Sequence, residues 1–275
     1  MVAHAADECN FVLLESAFSV ACNELEVREY LGRALSELIR NATAAPARHY
    51  VVREEDGRYA LIGDGQRVAS VSTSSDVLEA LFADVNRRAI DDYSGFAVHA
   101  GVVANDGAAI AFPAESGTGK STLTAACLGA GFAYVSDEAL CVDPRDCRVV
   151  PYPKPIALAP STWSLVGYPI PAATDPGTKI TRSASALGAS VVDAASRLRL
   201  AHVVELARLG GTPRLVARPR ADTIALLLAM SFNHYKMPRV AFEVASQLAA
   251  QSRAWRLEYG DPRDAAALLR AELAS

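Results

Sequence analysis

Apolar residues in this chain come in short runs, and their spacing switches between a period near two and one near three and a half. Phe11–Cys22 is a run with the apolar content of a strand. Over Leu25–Ile39 the apolar positions are Leu25, Tyr30, Leu31, Ala34, Leu35 and Leu38, the spacing of an amphipathic helix. Asn41–Pro46 is rich in chain breakers and reads as a loop. His49–Arg53, Tyr59–Ile62 and Arg67–Ser72 read as three short strands. Asp56-Gly57 and Asp64-Gly65 between them are hairpin signals. Asp76 is placed to cap a helix that runs to about Ile90, with Val77, Leu78, Leu81, Phe82 and Val85 on one face. This first zone, residues 1–92, reads as a small α+β subdomain that docks on the rest of the chain or presents a surface. No chemistry is concentrated in it.

The second zone, residues 93–275, has a different texture. Ala97–Ala104 and Ala108–Phe112 are strand candidates around a tight turn at Asn105-Asp106-Gly107. The segment Ala114–Thr122, AESGTGKST, follows, and a helix is expected from it to about Ala130, stopped by Gly131. Phe132–Ser136 is the next strand and delivers Asp137-Glu138. Ala139–Val142 and Arg148–Val150 flank a further turn. Residues 151–182 are rich in Pro and Gly and read as a long loop of the kind that is functional or mobile. His202–Leu209, Arg214–Ala217 and Trp255–Tyr259 are strands. Ala221–Phe232, Val240–Gln251 and a last helix capped by Asp261-Pro262 complete the pattern.

Composition narrows the classes. Of 275 residues, 51% are hydrophobic and 21% charged, which is enough for a buried core. The net charge of −4 lowers the weight of a nucleic-acid partner, since such binders are usually basic. The segment at the start carries acids where a secretion signal needs bases, and the most apolar stretch, Thr223–Phe232, is too short for a membrane helix. Cys9, Cys22, Cys127, Cys141 and Cys147 are odd in number and lack CxxC spacing. The expectation is therefore reduced thiols in a cytoplasmic protein, with no nucleic-acid and no membrane partner.

The chemistry centres on residues 114–122. Gly119-Lys120-Ser121 complete a Walker A pattern in which Ala114 stands at the first glycine position. A strand before it and a helix after it are the setting this pattern needs. The cradle comprises Ala114, Glu115, Ser116, Gly117, Thr118, Gly119, Lys120, Ser121 and Thr122. Its backbone N–H groups can curl around phosphate oxygens, helped by the positive end of the helix. Lys120 can reach the β- and γ-phosphates of ATP, and the Ser121 hydroxyl can take a Mg²⁺ position. The alanine would matter only if its position required a left-handed backbone. Pairing the two strands around Asn105–Gly107 places His99 about opposite Pro113, on the rim of that cradle. His99 is then either structural or a phosphate contact or proton relay. Asp137 and Glu138, at the end of the strand after the helix, fall beside the phosphates in a βαβ arrangement. Asp137 is preferred as general base and Glu138 as metal or water ligand, with the exchange of roles left open.

The set VHAGVV, AESGTGKST and YVSDEAL resembles the catalytic domain of the HPr kinase/phosphorylase family, whose relatives include the lasso-peptide precursor kinases. SGTGKST is also similar to the kinase loop of phosphoenolpyruvate carboxykinase. The resemblance covers about residues 95–260 and is strongest over 97–142. It implies an α/β fold with a P-loop kinase core of the HPr kinase and carboxykinase type, ATP and Mg²⁺ as cofactors, and often an oligomer. The implied acceptor is the hydroxyl of a peptide or protein serine or of a small-molecule alcohol. His99, Gly117, Gly119, Lys120, Ser121 and Asp137 match position by position, while Glu138 stands where the family has a second aspartate. The downstream glycine-rich signature of the reverse, phosphorylase reaction is missing, and the family's N-terminal domain is not recognisable in residues 1–92. The resemblance therefore implies a kinase without the phosphorylase activity.

Lys154 and Lys179 can clamp a nucleotide or acidic substrate but read better as solvated loop lysines. Arg218 and Arg220 can neutralise a γ-phosphate but read better as surface residues. Trp163 and Trp255 read as anchors, and His202, His234, Cys127 and Cys141 as packing or surface residues. Two alternatives stay open: a nucleotide-binding switch without phosphotransfer, and, more weakly, a carboxykinase-like enzyme.

Overall fold

The structure, a computed structural model, describes residues 8–39, 45–170 and 179–273. The described residues form a mixed α/β fold with three sheets. The first sheet has five strands in sequence order: β1 (Glu8–Leu13), β2 (Ser16–Cys22), β3 (Arg48–Glu55), β4 (Arg58–Gly63) and β5 (Gln66–Val71). The run 11–22 is thus two antiparallel strands and not one. Leu14 turns the chain with a left-handed φ of 52°, a conformation no glycine or asparagine advertises there. Helix α1 (Leu25–Leu35) crosses over and brings β3 parallel to β2. The Asp-Gly pairs at 56–57 and 64–65 take positive φ at both residues, as two-residue hairpin turns require.

Helix α2 (Ser74–Asp92) packs on this sheet. Its cap is Thr73, whose hydroxyl accepts from the Asp76 backbone N–H at 3.1 Å. Asp76 lies in the first turn, where its charge meets the positive helix end, and is not itself the cap.

The remaining elements are β6 (Phe96–Asn105), β7 (Ala108–Pro113), α3 (Lys120–Gly129), β8 (Ala133–Ser136), β9 (Ala139–Asp143), β10 (Arg148–Val150), β11 (Ile156–Leu158), α4 (Pro160–Leu165), β12 (Ile180–Arg182), β13 (Arg199–Arg208), β14 (Arg214–Ala217), α5 (Arg220–Ala229), α6 (Pro238–Gln251), β15 (Arg253–Tyr259) and α7 (Pro262–Leu273). The largest sheet runs β10-β9-β6-β7-β13-β15-β14, with β8 also on β6. β7, β13 and β15 are parallel. The long segment expected to be loop over 151–182 contains β11, α4 and β12; β11 and β12 pair as the third sheet. Its prolines at 171 and 176 and Gly177 lie outside the described residues.

Both faces of the large sheet are covered, which explains why its strands read as unbroken apolar runs. Ile110 and Phe112 of β7 pack under α3 and α7 with Leu123, Phe132 and Leu269. Ala109 and Ala111, pointing the other way, meet the layer of Leu227, Val244 and Leu248 from α5 and α6. Among the described residues no helix is long and apolar enough to cross a membrane.

Candidate functional site

The carboxyl end of β7 feeds the segment 114–119 into α3. The β6–β7 ladder pairs Ala100 with Pro113, one residue from the expected register, so His99 faces Ala114, and its carbonyl accepts from the Ala114 N–H at 3.3 Å. Ala114 is not among the non-glycine residues with positive φ, so its methyl costs no backbone strain. Gly119 is the N-cap of α3 at φ 100°, a conformation that only glycine adopts freely. The Lys120 side chain curls back and donates from Nζ to the Glu115 carbonyl at 2.9 Å. The Thr118 hydroxyl donates to the same oxygen at 2.7 Å. Helix α3 stops at Gly131, where Gly131 N–H bonds to Leu128 O and Phe132 N–H to Cys127 O.

Strand β8 does not lie beside β7. β6 sits between them, antiparallel to both, so β7 and β8 point the same way and their carboxyl ends share one edge. β8 and β9 run as one interrupted partner of β6: Ser136 faces Val102 and Ala139 faces His99 in the same register. The two residues between, Asp137 and Glu138, interrupt the ladder opposite Gly101 and Ala100, with only the Ala100 N–H bonded to the Glu138 carbonyl at 3.2 Å; the one-residue bulge on this edge is at Val135. The Ser136 hydroxyl holds this interruption by accepting the N–H groups of Glu138 and Ala139, each at 3.1 Å. Gly101 is required by the closeness of α3. A Cβ there would lie 2.4 Å from Thr124 Oγ1, so the missing side chain lets α3 press against β6.

These segments border one cavity of about 770 Å³ that contains Lys120, Ser121, Thr122, His99, Asp137 and Glu138 in its walls, with Ser116, Gly117 and Gly119. Asp137 is 6% exposed, and among the described residues its Oδ1 has no hydrogen-bond partner. Burial pushes its carboxyl up from the ordinary 3.8 to about 6, against the pull of Lys154, the Ser121 hydroxyl and Lys120. Burial lowers the Lys120 ammonium, with Asp137 and Glu138 opposing. His99 is held below its ordinary value by burial and then by Lys120, and its ring packs on Phe232 at 5.2 Å between centroids. It is therefore neutral at physiological pH.

Lys154 was expected to be solvated; instead its Nζ contacts Glu138 Oε2 at 2.5 Å, with both side chains largely buried. Tyr134 donates to the Lys154 carbonyl. Lys179 also borders the cavity, paired with Glu79 of α2 at 2.9 Å. Arg218 and Arg220 are elsewhere. Arg218 binds Glu205 and Asp222, and Arg220 donates to the Ala250 carbonyl. Trp163 is fully buried and donates to the Ile180 carbonyl, while Trp255 donates to His202 Nδ1.

Sequence reasoning found no chemistry in the first ninety residues, yet α2 forms a wall of the cavity through Leu78, Phe82, Asn86 and Ile90. Asn86 accepts from the Tyr152 hydroxyl and approaches Glu138 Oε2 with Nδ2 at 3.5 Å. The signal was present but faint: one amide in an i, i+4 stripe that is otherwise apolar.

The residues fit a triphosphate with a divalent cation on three grounds. The cradle has left-handed glycines at 117 and 119, a lysine lies inside it, and a buried carboxylate oxygen lacks a partner. No protein-family model matches the chain, and no curated protein matches its sequence.

Proposed function

We propose that the protein is an ATP-dependent kinase that transfers the γ-phosphate to a hydroxyl, with the 114–122 segment as its phosphate cradle. The fold we infer is a P-loop kinase core of the HPr kinase and carboxykinase type. The β7–loop–α3–β8 connection supports that inference, because it ends with both strand termini on one edge. One observation carries the reading: a cradle lysine and a buried carboxylate, one of whose oxygens lacks a partner among the described residues, converge on a single cavity.

The backbone N–H groups of the cradle and the end of α3 bind the phosphates, and Lys120 neutralises charge that builds on them during transfer. Asp137 receives the proton of the acceptor hydroxyl as its oxygen bonds to the γ-phosphorus and the bond to the β-phosphate oxygen breaks. With a value of about 6, this carboxyl is mostly ionised at neutral pH and still basic enough to take a proton. Ser121 and Glu138 are the residues that would hold Mg²⁺, which when bound screens the phosphate oxygens. Neutral His99 orients the cradle rim through its backbone link to Ala114. An acceptor serine in a peptide or protein, or a small alcohol, meets these groups in the cavity between the cradle and α2.

The test is incubation of the protein with γ-labelled ATP and cell extract, beside Lys120→Ala and Asp137→Asn. The expected result is a labelled acceptor with wild type, none with Lys120→Ala, and nucleotide binding without transfer for Asp137→Asn. Calorimetry that detects no ATP binding to the wild type refutes the reading.

A further inference from the structure

Four residues of α2 spaced by one helical turn, Leu78, Phe82, Asn86 and Ile90, look into the cavity. Three are apolar and buried; the amide is the exception. Its orientation is set from behind. The Tyr152 side chain is fully buried, and burial, then Glu138 and Cys141, keep its phenol protonated, so its hydroxyl donates to Asn86 Oδ1. That leaves Nδ2 as the face turned to Glu138, where it approaches the same oxygen, Oε2, that receives Lys154 Nζ. The Lys154 backbone is itself fixed, its N–H bonded to the Tyr152 carbonyl at 2.8 Å and its carbonyl to the Tyr134 hydroxyl.

We propose that Asn86 is a positioning residue for the acid pair: with Lys154 it grips Glu138 by one carboxylate oxygen, so that the other is presented to the cavity, and it thereby makes the first ninety residues part of the reaction centre. This rests on the kinase reading for its catalytic consequence, but the grip itself does not. An amide donor and an ammonium on one oxygen hold the carboxylate in a single rotamer, the role that outer partners play for metal-binding carboxylates. Asp137, beside it, has no such grip; the groups facing it are Lys120 and Ser121 from α3, with Glu138 and Lys154.

Two measurements test this on the full chain. The first needs no activity: the Asn86 side-chain amide resonances in ¹⁵N spectra. They are expected to be protected from exchange and to shift in Glu138→Gln; amide signals that exchange freely and ignore Glu138→Gln overturn the grip. The second uses Asn86→Leu, which extends the apolar stripe but leaves the buried Tyr152 hydroxyl without its acceptor, so it is expected to fold with a modestly lower melting temperature. Its kcat is expected to fall about tenfold or more, with KM for ATP unchanged and the Mg²⁺ concentration for half-maximal rate raised. Asn86→Asp, which keeps the Tyr152 acceptor but replaces the donor with a carboxylate facing Glu138, is expected to lower kcat at least as far. An unchanged kcat and Mg²⁺ midpoint in Asn86→Leu overturn the positioning role. A wild type that transfers no phosphate defeats the kinase reading instead, and the amide measurement still decides whether Asn86 holds Glu138.

Discussion

Replacing Asp137 by Asn should stabilise the protein while ending transfer. The carboxyl is buried, one of its oxygens has no partner, and its proton affinity is raised from 3.8 to about 6. Because the folded-state value lies above the unfolded one, the folded state binds the proton more tightly. The stability this confers is fully present below about pH 3.8 and is lost as pH rises through about 6. A displacement of about two pH units corresponds to about 3 kcal/mol that the ionised form costs the fold at neutral pH. Asn has nearly the same shape and no charge, so Asp137→Asn avoids that cost. At roughly 2–4 °C per kcal/mol for a chain of this size, its melting temperature should exceed that of wild type by about 6–12 °C near neutral pH. The gap should shrink to about half near pH 5 and close by about pH 3, as wild type takes up its own proton. Thermal denaturation of both proteins across that pH range measures it. A gap that is absent at neutral pH, or that does not narrow on acidification, refutes the argument that burial governs this carboxyl.

Lys154→Met removes the charge that most favours ionised Asp137 and leaves Glu138 without its ammonium. The acid limb of the pH–rate profile should move up by about one unit, with about 1–3 kcal/mol lost from stability in denaturant titration. Gly101→Ala drives a methyl into Thr124 Oγ1 and should cost about 1–3 kcal/mol. Adding Thr124→Ala should restore most of that, because the hydroxyl removed has no hydrogen-bond partner; melting curves of the two single variants and the double variant show whether the effects couple. Lys120→Met should reduce transfer at least ~100-fold in a labelled-ATP assay, with no loss of melting temperature, since burial disfavours the ammonium it replaces.

The fold was legible where local chemistry decides it. Asp-Gly pairs set the hairpins at 56–57 and 64–65, and Gly131 stops α3 because only a left-handed residue closes that terminus. Leu14 shows the limit. Its turn is imposed by the pairing of β1 with β2 and by stacking of Phe11 on Phe18 at 5.7 Å, which no residue at the turn announces. The helix cap at Thr73 was misplaced by three residues for a related reason. Thr73 and Asp76 are both capping residue types, and the hydroxyl that accepts the N–H is known only once the backbone is built.

The site divides along the same line. The cradle is contiguous in sequence, and its geometry follows from glycines, a lysine and the helix that starts there, so it was readable. Asp137 and Glu138 were readable as neighbours of the cradle. That inference rested on a βαβ arrangement; in the structure β6 lies between β7 and β8, and both strand ends still share one edge because two antiparallel steps restore the direction. Lys154 and Asn86 were not readable. Each becomes polar machinery only when tertiary packing removes water from around Glu138, and a lysine in a proline-rich stretch or an amide on a helix carries no mark of that burial. The two acids gain different chemistry from partners the sequence keeps far apart. Glu138 is gripped on one oxygen by residues 16 positions downstream and 52 positions upstream. Asp137 is more deeply buried in the same cavity, with one oxygen unpartnered among the described residues and its proton affinity raised. Adjacent carboxylates in the chain are thus made unequal by the fold, one suited to hold a cation in place and the other to accept a proton.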